Sequence, residues 1–224
     1  MRLCMGNRMV IYRHFMNIQY PFKASLFGKF DMNMDLKALR KSLRQQRRAV
    51  SKFQQRKSEH DVLKQLSQEP RFKTAQKVGV YLHAFGEIQT RLIIEKCFSL
   101  GKQVFLPMIC NMNQRLVWVQ ISQRQYHKAR FSHHPLGMQE PMASRGLHVS
   151  TLDVLLLPLL ACDQHGTRMG MGGGFYDRTL ASAPHTPYRI GLAHNFQYLS
   201  NELIRQPWDQ PIHLLITPSA RYRF

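Results

Sequence analysis

Two hydrophobic periods alternate along this chain. Residues 35–66 contain neither Gly nor Pro and set Leu36, Leu39, Leu43 and Val50 at helical spacing among Lys, Arg, Gln and Glu, which predicts helix. Ser51, followed by polar helix formers, predicts a break and a second helix anchored by Val62, Leu63 and Leu66. Residues 78–85 (VGVYLHAF) have the β-branched and aromatic character of a strand, and Gly86-Glu87 then turns into a helix over 88–100, closed by Gly101. Residues 103–106, ended by Pro107, predict a short strand and complete a β-α-β unit. Residues 116–121 alternate after the Asn111-Met112-Asn113 turn and predict an antiparallel neighbour, whereas 127–147, broken by Pro135, Gly137, Pro141 and Gly146, reads as loop. The apolar run 154–157 closed by Pro158 predicts a buried strand, and 175–180 the first turns of a helix. Residues 189–193 and 213–217 predict two more buried strands, joined through a partly helical 195–205. Strands interleaved with helices predict an α/β sheet with helices on both faces and ligands beyond the strand ends.

Composition narrows the class without choosing a function. A chain of 224 residues buries one substantial core, and a formal charge of +19 marks a surface that attracts polyanions, whether nucleic acid, anionic lipid or an anionic small substrate. Cys4, Cys97, Cys110 and Cys162 form no CxxC pair, so they read as reduced thiols of a cytoplasmic protein. No run approaches the ~18 apolar residues of a membrane span. Residues 1–33 are basic, without a secretory apolar core, and form a leader outside the folded part, which then occupies 34–224. An incomplete transit-peptide signature and an upstream reading of the start codon both fit that leader, and we favour the second.

The chemistry concentrates after the 154–158 strand. Gly170, Gly172, Gly173 and Gly174 remove the Cβ atoms that would hold a polyanion away from backbone N–H groups. A Walker loop requires Gly-Lys-Ser/Thr, which is absent, and the glycines are too dense and too late for a dinucleotide fingerprint. Arg168 beside the loop suits a phosphate, and Asp177 suits Mg²⁺ or, more simply, the start of a helix. A partner carboxylate, Asp209, precedes the last strand, and Mg²⁺ needs only one or two. Lys37 and Arg40, at i and i+3, either reach phosphates from one helix face or belong to a solvated basic face with Lys41, Arg44, Arg47 and Arg48. Glu87 is read either as the first acid of the following helix or as a buried acceptor for a heterocycle's N–H groups. The histidines show no metal-ligand spacing.

These segments together resemble the 5-formyltetrahydrofolate cyclo-ligase family. The resemblance runs from about Lys37 to Thr217 and is carried, in order, by KALRKSLRQQRRAVS, YLHAFGEIQT, GKQVFLP, GMQEP, LLLPLLACDQHGTRMGMGGGFYDRTL and WDQPIHLLIT. It implies a three-layer α/β sandwich around a mostly parallel sheet, of the sugar-isomerase and CoA-transferase type. The implied reaction is the ATP- and Mg²⁺-dependent closure of 5-formyltetrahydrofolate to 5,10-methenyltetrahydrofolate, through phosphorylation of the formyl oxygen and attack by N10. By position, Lys37, Arg40 and the loop from Arg168 through Met169, Gly170, Met171, Gly172, Gly173, Gly174 and Phe175 to Tyr176 would hold ATP. Arg168 and Asp177 would serve catalysis, and Asp177 and Asp209 would hold Mg²⁺. Leu82 and Glu87 would line the folate pocket, bordered by Met171, Gly172, Gly173, Gly174 and Phe175. Met169, Met171, Gly173 and Phe175 depart from the family pattern, and Phe175 lacks the hydroxyl of the usual Tyr. A cytoplasmic monomer acting on small molecules is implied, with a nucleic-acid partner open but not required.

Overall fold

The computed structural model describes residues 36–224, so the expected leader lies outside the described residues. Helix α1 (Leu36–Ala49) is separated from α2 (Lys52–Ser67) at Ser51, whose side chain accepts the Gln54 N–H as an N-cap. A short α3 (Pro70–Thr74) leads into β1 (Lys77–Gly79). Helix α4 (Arg91–Ser99) then crosses to β2 (Gln103–Cys110), which pairs with β1 in parallel, so the expected β-α-β unit is present.

The chain continues through β3 (Arg115–Ile121), a small α5 (Gln123–His127), and a hairpin of β4 (Phe131–His133) and β5 (Gln139–Pro141). It returns to the sheet as β6 (Val154–Pro158), then forms a hairpin of β7 (Ala161–Cys162) and β8 (Arg168–Met169) before α6 (Phe175–Leu180). Strands β9 (Tyr188–Leu192), β10 (Leu214–Ile216) and β11 (Arg221–Arg223) finish it. The seven-stranded sheet has the order β11-β10-β9-β6-β1-β2-β3. Strands β10, β9, β6, β1 and β2 are parallel, and β11 and β3 are antiparallel edges.

Alternate residues of each strand feed opposite faces, as the two-residue pleat requires. Val104, Leu106, Leu156, Leu214 and Ile216 pack with Val62, Leu66, Phe72, Ile93, Ile94 and Cys97 of α2, α3 and α4. Phe105, Leu155, Leu157 and Leu215 face the other way, toward Trp118, Val149 and Leu180. That second face is closed by α6 and loops, a lighter layer than the one expected. Buried on both sides, β6 is a continuous apolar run for a physical reason.

Several elements differ from expectation. The expected 78–85 strand ends at Gly79, with one further bond from the Val80 N–H to the Phe105 carbonyl at 2.9 Å. The expected 88–100 helix begins at Arg91, because Thr90 Oγ1 donates to the Tyr81 carbonyl at 2.7 Å and ties the approach to the sheet. Glu59 of α2 accepts the Leu92 N–H at 2.8 Å and caps α4 from outside. Strand β2 runs on through Pro107. Phe105 and Ile109 direct their backbone bonds away from β3, to Val80 and Glu140, so the ring nitrogen of Pro107 also faces away from that ladder. The 127–147 loop contains the β4–β5 hairpin, and 195–205 carries only a 3₁₀ turn at Asn195–Gln197. Cys97, Cys110 and Cys162 are free thiols, and no helix among the described residues is long and apolar enough to cross a membrane.

Candidate functional site

The sheet order locates the site. From β1 the chain moves outward through β2 and β3, and from β6 it moves the opposite way through β9 and β10. The loops leaving the carboxyl ends of β1 and β6 therefore diverge and open a crevice, the switch point where α/β sheets bind ligands. A cleft of about 690 Å³ lies there, lined after β1 by Tyr81, Leu82 and Glu87 and after β6 by the whole run 167–178.

Arg40, Leu82, Glu87, Arg168, Met169, Gly170, Met171, Gly172, Gly173, Gly174, Phe175, Tyr176, Asp177 and Asp209 all line this one cleft. Lys37 is exposed on α1 and does not line it. The reason is helical phase: Leu36, Arg40, Arg44 and Arg47 recur at i, i+4, i+8 and i+11 and face the loop, while Lys37 sits about 100° around from Leu36. Arg44 Nη2 donates to the Met171 carbonyl at 2.8 Å.

In the glycine loop, Gly172 (φ +103°) and Gly174 (φ +65°) occupy backbone conformations that L side chains rarely adopt. Arg178 stabilises the loop's exit: its Nη2 donates to the Gly173 carbonyl at 2.8 Å, its Nε to the Gln114 carbonyl at 3.1 Å, and its guanidinium lies 5.1 Å from the Phe175 ring centroid. Helix α6 has six residues, so the anion-binding capacity here rests on the loop N–H groups and arginines more than on a helix dipole.

Arg168 is buried and pairs with Asp177, Nη2 to Oδ1 at 2.7 Å, while its guanidinium lies 5.6 Å from the Tyr176 ring centroid. Its Nε has no hydrogen-bond partner, nor do the Nε atoms of Arg40 and Arg44. A buried guanidinium donor left unpaired is costly. Asp177 Oδ1 also accepts the Gln210 N–H at 3.2 Å, and Asp209 Oδ2 accepts the Gln206 N–H at 2.8 Å. Each carboxylate thus keeps one oxygen outside these bonds. No group of three or more His, Cys, Asp or Glu suited to a metal occurs among the described residues, and Asp177 and Asp209 are the two aspartates that line the cleft.

Across the cleft, Glu87 turns inward. It precedes α4 by four residues, so the helix-start reading is corrected. Its Oε2 accepts the Ala84 N–H at 3.0 Å, and its Oε1 lies 3.6 Å from Arg47 Nη1. Burial lifts its carboxyl from 4.5 to about 7, with the Arg47 charge and the Ala84 bond pulling the other way. Burial, aided by the Glu87 charge, also raises the Tyr81 and Tyr176 hydroxyls. Arg47 is the cleft residue that sequence reasoning missed. Placed there on a solvated face, it is 1% exposed and lines the cleft. Only its phase with Leu36, Arg40 and Leu43 hinted at this.

A switch-point cleft with a glycine loop on one wall, arginines and an inward-facing carboxylate has the make-up of a small-molecule site in an α/β enzyme. Residues 33–218 match the 5-formyltetrahydrofolate cyclo-ligase family. The 5-formyltetrahydrofolate cyclo-ligase of Escherichia coli K12 is 35% identical over 182 residues, covering 79% of this chain and 97% of that protein. The Haemophilus influenzae cyclo-ligase is 29% identical over 177 residues, covering 78% and 92%. The solved 5,10-methenyltetrahydrofolate synthetase of Aquifex aeolicus superposes with a TM-score of 0.71 at 26% identity, covering 84% of this chain and 91% of that one. The chain belongs to the 5-formyltetrahydrofolate cyclo-ligase family and is an enzyme of that family.

Proposed function

We propose that this enzyme closes 5-formyltetrahydrofolate to 5,10-methenyltetrahydrofolate at the expense of ATP, with Mg²⁺ as cofactor. The observation that carries this reading is the meeting of the glycine loop and the half-buried, inward-facing Glu87 at a single switch-point cleft. On one wall, the N–H groups from Gly170 to Gly174 with Arg168 and Arg40 suit a triphosphate. Lys37, at the exposed side of α1, would reach it from outside. On the other wall, Leu82 and Glu87 suit the pterin, with Glu87 accepting N–H bonds in a dry pocket. Met171 to Phe175 would border both.

The chemistry asks for alignment and charge neutralisation. The formyl oxygen attacks the γ-phosphorus and the bond to ADP breaks; N10 then attacks the formyl carbon, and phosphate leaves with the oxygen and takes up the N10 proton as hydrogen phosphate. Arg168, aimed by Asp177, would neutralise charge on the transferred phosphoryl group. Mg²⁺, when bound by Asp177 and Asp209, would supply further neutralisation between the phosphates. Buried Tyr81 and half-buried Tyr176 would exclude water from the activated carbon.

The same reading takes the fold as the sugar-isomerase and CoA-transferase type, 34–224 as its single domain, and the enzyme as a cytoplasmic monomer. Supporting it are the central parallel strands and the compact unit Leu36–Phe224. The test is the purified full chain with 5-formyltetrahydrofolate, ATP and Mg²⁺, followed by the absorbance of the methenyl product. No ATP-dependent product overturns the proposal.

A further inference from the structure

Arg47 makes a set of contacts that a surface arginine does not. Its Nε donates to the Phe85 carbonyl at 3.0 Å, its Nη1 to the Leu159 carbonyl at 3.2 Å, and its Nη2 to Met171 Sδ at 3.6 Å. These partners come from the turn after β1, the loop after β6 and the glycine loop itself. Nη1 also faces Glu87 Oε1 at 3.6 Å. The turn has no slack against α1: a Cβ on Gly86 would collide with the Arg47 carbonyl oxygen, and 2.9 Å would separate it from the carbonyl carbon. From the other side, His194 Nε2 lies 3.1 Å from the Gly86 carbonyl oxygen.

We propose that Arg47 is a positioning residue for the reaction: one buried guanidinium holds the Glu87 turn and the glycine loop at a fixed separation, so that both co-substrates meet in register. The role rests on the reading of Glu87 as the folate-side acid. A planar fork is required because the three acceptors lie in different directions around one group, and a lysine Nζ would satisfy them only in part. Displacing either wall by even a fraction of an ångström separates the formyl oxygen from the phosphorus it attacks.

Arg47 also decides the electrostatics of Glu87. The charged and titratable groups facing that carboxylate are Arg47 from α1, Tyr81 from its own segment and Tyr176 from α6, with His194 held at Gly86. Burial lowers the His194 pKa, so that ring is neutral at physiological pH. Arg47 is therefore the cation that opposes the desolvation of Glu87, while burial lowers its own pKa in turn.

The experiment compares the full-length wild type with Arg47→Lys, Arg47→Met, Glu87→Gln and the Arg47→Met/Glu87→Gln double variant. Melting temperature, kcat, and KM for each co-substrate are measured across roughly pH 6 to 9. Arg47→Lys should still fold with a melting temperature lower by several degrees, yet lose about tenfold or more in kcat/KM for 5-formyltetrahydrofolate, as one charge-assisted bond is worth. The acid limb of the profile should move upward in Arg47→Met. The double variant should be little worse than Glu87→Gln, because the two act as a unit.

Wild-type kinetics in Arg47→Lys and Arg47→Met, or losses that simply add in the double variant, overturn the proposal. Should Arg47→Met fail to fold, Arg47→Lys carries the kinetic comparison. Failure of the proposed reaction is separable, because Glu87 can be titrated without substrate by carbon-13 NMR of labelled glutamate, its signal assigned by loss in Glu87→Gln. An upward shift in the Arg47 variants supports the role, and an unchanged titration removes it.

Discussion

Glu87→Gln should stabilise this protein above neutral pH while crippling it as an enzyme. The Glu87 side chain is 11% exposed, and its carboxyl titrates near 7 instead of 4.5 because burial disfavours the charged form. Between those values the native state holds a proton that the unfolded chain has lost. Stability from this group is therefore full below 4.5 and declines as pH rises through about 7. At about 1.4 kcal/mol per pH unit the interval amounts to about 3 kcal/mol. Glutamine keeps an oxygen to accept the Ala84 N–H and carries no charge to desolvate. The attraction of Arg47 already acts within that value, and Arg47 keeps its carbonyl acceptors when glutamine replaces the acid. The gain near pH 8 is therefore up to about 3 kcal/mol, or roughly 6–12 °C in melting temperature for a domain of this size. Thermal unfolding by circular dichroism at about pH 5 and pH 8, read as the difference between variant and wild type, isolates Glu87 from other titrating groups. The gain should vanish or reverse at the lower pH. A difference independent of pH, or a variant less stable than wild type at pH 8, refutes the desolvation argument.

Other outcomes follow from the same geometry. Gly86→Ala puts a side chain at φ +78° with its Cβ against the Arg47 carbonyl, so denaturant unfolding should show a loss of about 2–3 kcal/mol. Asp177→Asn removes the charge that aims Arg168, and turnover should fall about 100-fold or more with an unchanged circular dichroism spectrum; wild-type kcat would sink the assignment. Trp208 is 65% exposed at the cleft while Trp118 is fully buried, so ATP should change the emission of Trp208, and Trp208→Phe should abolish that response. The charge of +19 predicts only weak polynucleotide binding if its partner is a small anion; tight binding with a steep salt dependence would point to a nucleic-acid partner instead.

Much of the fold was legible because local chemistry and tertiary environment agree. Ser51 breaks the N-terminal helices where its hydroxyl caps α2, and Val154 to Leu157 are apolar because both sheet faces are covered. Where the two part, sequence reasoning failed. Residues 88–90 have helical spacing but are kept out of the helix by the Thr90 bond to the Tyr81 carbonyl and by the burial of Ile88. Pro107 reads as a stop, yet sits on the open side of β2. The hairpins β4–β5 and β7–β8 are too short to leave a period.

The sequence by itself determined the α/β class, the glycine loop with Arg168 and Asp177, and the family resemblance, because these depend on residue types at short spacing. Only the tertiary structure decided that Glu87 faces inward, that Arg47 is buried and Lys37 is not, and that all of this meets in one cleft. The physical reason is that the crevice arises from the divergence of the loops after β1 and β6, strands 76 positions apart in register at Gly79–Leu155 and Val78–Val154 that only sheet pairing brings together. Desolvation there, which sets the charge of Glu87 and the role of Arg47, is a property of the closed fold and of no local segment.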